Sequence, residues 1–80
     1  MKTKYKYIEF LKTPKEWLCV NRRGGYSLGA IALTIDFGRR QWNFAPQTDT
    51  VFSSDCLADI AQFLNDLNCL LKSDKPKLKQ

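Results

Sequence analysis

Apolar and polar residues alternate along the first half of this chain and change to a helical spacing in the second. The clearest alternation is Ile31, Leu33, Ile35 and Phe37 against Ala32, Thr34 and Asp36, the period of two expected of a half-buried strand. It predicts a strand over 26–37, with Gly29 inside it marking a bulge or a close backbone approach. Before it, the aromatic-rich run 4–11 and the run 17–22 read as two further strands. Thr13-Pro14-Lys15 separates them, because proline fixes φ and removes a donor. Gly24-Gly25 supplies the positive φ that a tight hairpin needs. Gly38-Arg39-Arg40 turns the chain again, and Gln41-Trp42-Asn43-Phe44 forms a last strand that Pro46 ends. Gln47 to Thr50 reads as a polar loop.

From Ser53 the period lengthens. Leu57, Ile60, Leu64, Leu67 and Leu71 recur at spacings of three and four, and Cys56, Phe63 and Leu70 widen the stripe. Ser53 or Ser54 can cap this helix, Asp55 suits its N-terminal dipole, and Val51 or Phe52 can staple its first turns. Asp55, Asp59, Gln62, Asn65 and Asp66 fall on the opposite side. The helix is predicted over 53 to about 72.

The expected fold class is therefore α+β: a four-stranded antiparallel β-meander, order 1-2-3-4, packed on one C-terminal amphipathic helix. Residues 1–72 form a single domain and 73–80 a disordered basic tail. One sheet face lies under the helix. The other is left partly apolar by Trp, Tyr and Ala residues, and two edges are open, so a homo-oligomer is an expectation.

Composition bounds the picture. Eighty residues make one domain, able to bury roughly 60% of the unfolded chain's surface. An apolar share of 44% is ample for a core. No apolar run approaches the roughly 18 residues that cross a bilayer, so no membrane partner is expected. Met1 to Lys6 resembles the charged start of a signal peptide, but no apolar segment or cleavage site follows, and the cytoplasm is the expected location. Cys19, Cys56 and Cys69 are odd in number and form no CxxC, which argues against a disulfide framework. Cys56 and Cys69 lie roughly 20 Å apart on one helix and cannot pair.

Catalytic chemistry is sparse. Histidine is absent, removing the commonest general base and metal ligand. No serine has an evident base, and three scattered cysteines do not match a zinc site. Asp55 and Asp59 stand at i, i+4, where two carboxylates can share a hard cation; the plainer reading is a solvated helix face. Gly24-Gly25 lacks the strand-to-helix setting of a phosphate-binding loop. The chain is not expected to be an enzyme, and no cofactor is expected.

Charge is more telling. Thirteen Lys and Arg against eight Asp and Glu give a net charge of +5. In a meander, Lys2, Lys4, Lys6, Arg22 and Arg23 gather at one end of the sheet. Lys12, Lys15, Arg39 and Arg40 gather at the other, roughly 30 Å away. Tyr5, Tyr7, Tyr26 and Trp42 lie near these groups and are suited to stacking on bases. The candidate anion or nucleic-acid residues are Lys4, Lys6, Arg22, Arg23, Tyr26, Arg39, Arg40 and Trp42.

The series Trp17-x-Cys19-x-Asn21-Arg22, Leu28-Gly29-x-Ile31, Arg40-x-Trp42-x-Phe44-x-Pro46 and Phe52-x-x-x-Cys56-Leu57-x-Asp59-Ile60-Ala61-x-Phe63-Leu64 covers most of the chain. It resembles a group of small uncharacterised proteins encoded by bacteriophages, prophages and integrative elements. That resemblance implies a shared fold and an accessory protein that acts by binding. The leading expectation is a non-catalytic module that engages a host or defence protein. The alternative is binding of nucleic acid, or sequestration of an anionic nucleotide, through the basic and aromatic residues.

Overall fold

The computed structural model describes residues 1–74. Residues 75–80, which hold most of the expected basic tail, lie outside the described residues. Strands β1 (Ile8–Lys12), β2 (Glu16–Asn21), β3 (Ser27–Asp36) and β4 (Arg39–Pro46) precede one helix, α1 (Ser54–Asp74). The strands pair antiparallel in the order β1-β2-β3-β4, the meander that the alternation predicts. Ser53 caps the helix, its Oγ accepting the Cys56 N–H at 3.2 Å.

Pairing registers sort the side chains. Phe10 opposes Cys19, Cys19 opposes Gly29, and Trp17, Ile31 and Phe44 align across three strands. This face meets the helix. Phe63 enters at its centre, stacked on Phe10 with ring centroids 3.9 Å apart and edge-on to Trp17 at 5.1 Å. Tyr5, Ile8, Leu28, Ile60 and Leu67 complete the buried core. Gly29 is both of the things its position suggested. The register slips between Cys19 and Val20, making Leu28 the extra residue of a bulge. A Cβ on Gly29 would fall 2.6 Å from the Ala45 carbonyl oxygen and 2.7 Å from the Phe44 ring.

In its packing and edges the structure departs from the sequence reading in four places. The run 4–11 is not one strand. Residues before Ile8 double back along β1, with the Phe10 N–H donating to the Thr3 carbonyl (2.9 Å) and Lys4 bridging to Glu9. Tyr5 thereby enters the core and is not available for stacking on a ligand. Within the helix, Leu57 and Leu70, toward its two ends, are exposed, while Ile60, Phe63 and Leu67 between them are buried. Both tryptophans pack on the helix side of the sheet. The open face instead carries Leu11, Leu18, Ala30 and Ala45 in a single cross-strand row, flanked by Val20 and Ala32. Fourth, Phe52 packs edge-on against Phe44 at 5.8 Å while Val51 stays exposed.

Both sheet edges are managed. The doubled-back N-terminus lines β1. On β4, the Trp42 N–H donates to Asn68 Oδ1 at 2.8 Å and the Trp42 carbonyl accepts from Asn68 Nδ2 at 3.2 Å. One carboxamide thus takes the place of a fifth strand.

Candidate functional site

Two clefts are built from basic side chains, one at each end of the sheet. The first is a shallow open dish of about 830 Å³, lined by Lys6, Tyr7, Asn21, Arg22, Arg23, Gly24 and Tyr26. Its floor is the β2–β3 loop, and Asn21 organises that loop from within. Asn21 Oδ1 accepts the N–H groups of Arg23 (2.8 Å) and Gly24 (2.9 Å), while its carbonyl accepts the Gly25 N–H at 2.7 Å. The connection is therefore wider than the tight hairpin expected of two glycines. Gly25 takes φ 73°, and Gly24 leaves room for Tyr26: a Cβ there would meet the ring at 2.6 Å. Arg22 is fixed from the other side. Its Nη1 donates to the Tyr5 carbonyl at 2.8 Å and its backbone N–H to the Tyr7 carbonyl at 2.9 Å. The doubled-back N-terminus and the loop are thus tied into one surface. Tyr26 is 60% exposed and Tyr7 44%. Lys6 Nζ lies 5.2 Å from the Tyr7 ring centroid. Among the described residues, no carboxylate lines the dish.

The second cleft, about 260 Å³, lies between β4 and the last turns of α1 and is lined by Arg39, Arg40, Gln41, Asn65, Asn68, Leu71 and Lys72. It exists because β3 and β4 outrun their neighbours. Pairing of β2 with β3 stops at Glu16 opposite Ala32, while β3 and β4 stay paired to Asp36 opposite Arg39. The resulting projection turns through Phe37 (φ 52°) and Gly38 (φ 76°), both in the left-handed region that two-residue hairpin turns use. It exposes Ile35 (76%) and Phe37 (97%).

The candidate residues are thus divided. Lys6, Arg22, Arg23 and Tyr26 come together in the dish, and Arg39 and Arg40 in the cleft. Lys4 lies on the doubled-back segment outside both, and Trp42 is half-buried against the core, held by Asn68. Arg39 and Arg40 share their cleft with Lys72, not with Lys12 or Lys15. Sequence reading placed Tyr7 beside the basic groups, but missed Asn21 as a dish residue and Asn65, Asn68 and Lys72 as cleft residues. For Asn21 a signal existed, since an Asn two residues before Arg23 is a common organiser of turns.

Two titratable groups away from the clefts are perturbed by the core. Burial, followed by the nearby Cys56, pushes the Cys19 thiol up to about 12. Burial, then Asp66 and Asp59, raises Tyr5, whose hydroxyl is enclosed without a hydrogen-bond partner among the described residues. Among the described residues, no group of three or more His, Cys, Asp or Glu is placed to hold a metal ion, and no helix is long and apolar enough to cross a membrane. Comparison with family models, curated proteins and solved structures returns no match for this chain.

Proposed function

We propose that the chain is a non-catalytic binding module whose dish takes an anionic ligand bearing a π-face, a nucleotide or a single strand of nucleic acid. One observation carries the reading: Lys6, Arg22 and Arg23 converge with two exposed tyrosines on a surface that, among the described residues, no carboxylate lines. The cations attract phosphate, and the rings offer the stacking platform that makes such binding tolerant of sequence. Fluorescence anisotropy with labelled oligo(dT), competed by mononucleotides, tests this. Binding should weaken steeply as salt rises, and Tyr26→Leu should reduce it by about 1–3 kcal/mol, the value of one base stack. Absence of binding at low salt removes the reading.

A protein partner, of the host or defence kind that the phage-like resemblance implies, is favoured by a separate observation. The cross-strand row Leu11, Leu18, Ala30 and Ala45 lies on the sheet face away from the helix. If that row docks a partner, Leu18→Lys abolishes capture from host lysate without lowering Tm. Capture of the same protein by the variant would dispose of this second reading.

A further inference from the structure

We infer that the smaller cleft between β4 and α1 is a site for a single phosphate monoester, distinct from the dish and independent of the reading given to it. Among the described residues, three cations, Arg39, Arg40 and Lys72, line it together with the carboxamides of Gln41, Asn65 and Asn68, and no carboxylate does. Like charges gathered on one small surface repel one another, and a bound dianion relieves that repulsion.

The geometry holds the cations in place. Adjacent residues of a strand point to opposite faces, so Arg39 and Arg40 reach one cleft only because it runs along the β4 edge. Asn68, clamped to both backbone groups of Trp42, sets the spacing between that edge and the helix. Asn65, Asn68 and Lys72 follow at i, i+3 and i+7 and therefore share one helix face. The projecting hairpin carries the arginines beyond the end of β2.

Size and chemistry select the ligand. A volume of about 260 Å³ is below the roughly 300–1,000 Å³ of sites that enclose whole drug-sized molecules. It suits one phosphate and the first atoms of its alcohol. Arginine forks match phosphate oxygens in pairs, and carboxamide N–H groups donate without adding charge. Leu71 provides an apolar wall, against which the ester's carbon can lie. Lys72 also offsets the negative end of the helix dipole.

Side-chain NMR of the full-length, ¹⁵N-labelled chain tests the site, with inorganic phosphate, adenosine 5′-monophosphate and O-phosphoserine as probes and potassium chloride at matched ionic strength as control. The expected result is saturable shifts of the Asn65 and Asn68 side-chain NH₂ signals and of Arg39 and Arg40 Nε–H. Affinity, read from these cleft signals, should fall at least tenfold in Arg40→Gln/Lys72→Gln and stay unchanged in Lys15→Gln, a charge loss outside both clefts. Preference for the nucleotide or for phosphoserine identifies which ester is held. The inference is overturned if chloride reproduces the shifts, if they map only to the dish, or if the double variant, with its fold confirmed by its amide spectrum, binds as before. Loss of binding in Arg23→Gln alone would count against the cleft and for the dish.

Discussion

At the scale of single residues, the core turns on a few contacts whose removal has calculable effects. Cys19 is fully enclosed, and its thiol is pushed up to about 12. In the fold it keeps its proton, whereas the unfolded chain releases it from about pH 9. Alkali therefore favours the unfolded chain, and stability falls as pH climbs from 9 toward 12. Tyr5, also raised, acts in the same direction. Cys19→Val is expected to show a shallower loss of Tm across that window, measured by circular dichroism. In native protein, iodoacetamide at pH 8 should modify the exposed Cys69 well before Cys19, as mass spectrometry of time points would reveal.

At the scale of elements, the decisive joint is between β4 and α1. Asn68 satisfies both outward-facing backbone groups of Trp42, so Asn68→Ala leaves a half-buried donor and acceptor without partners. A loss of about 1–3 kcal/mol is expected, read from urea unfolding. The element order was legible in the sequence, because Ile31 to Phe37 alternates cleanly and Gly24-Gly25 and Gly38 mark the turns. The start of β1 was not. Tyr5-Lys6-Tyr7-Ile8 alternates as a strand does, and no Gly or Pro marks the reversal there. A distant residue, Arg22, holds the Tyr5 carbonyl. The exposure of Leu57 and Leu70 was equally hidden, because helical periodicity records which residues share a face and not which of them the sheet covers.

For the molecule as a whole, the two edges of the sheet are closed by unlike devices, one a side chain and the other the chain's own N-terminus. Removing residues 1–7 takes Tyr5 from the core and uncovers β1. The shortened chain is expected to melt lower and to aggregate on concentration, with static light scattering as the measure; a monomeric, equally stable product would show that the β1 edge needs no cover. The candidate sites were partly legible at this scale. Strand order alone placed Arg22 and Arg23 with Lys6, because a meander brings the start of β1 beside the β2–β3 loop. It could not bring Lys72 to Arg39 and Arg40. That meeting depends on β3 outrunning β2 and on the helix crossing toward the projection, neither of which leaves a mark in local sequence.

The division of the core between sheet and helix has a consequence in time. Strand pairings in a meander join neighbours in sequence and close at small entropic cost, whereas Phe63 reaches Phe10 only by closing most of the chain into a loop. The sheet is thus expected to organise first and the helix to dock late. Phe63→Leu should accelerate unfolding far more than it slows folding, while Ile31→Val should slow folding, in stopped-flow chevrons. Until the helix docks, the face holding Phe10, Cys19 and Ile31 stands open to water. In synthesis, the seal on this protein's interior emerges only after all four strands that it covers.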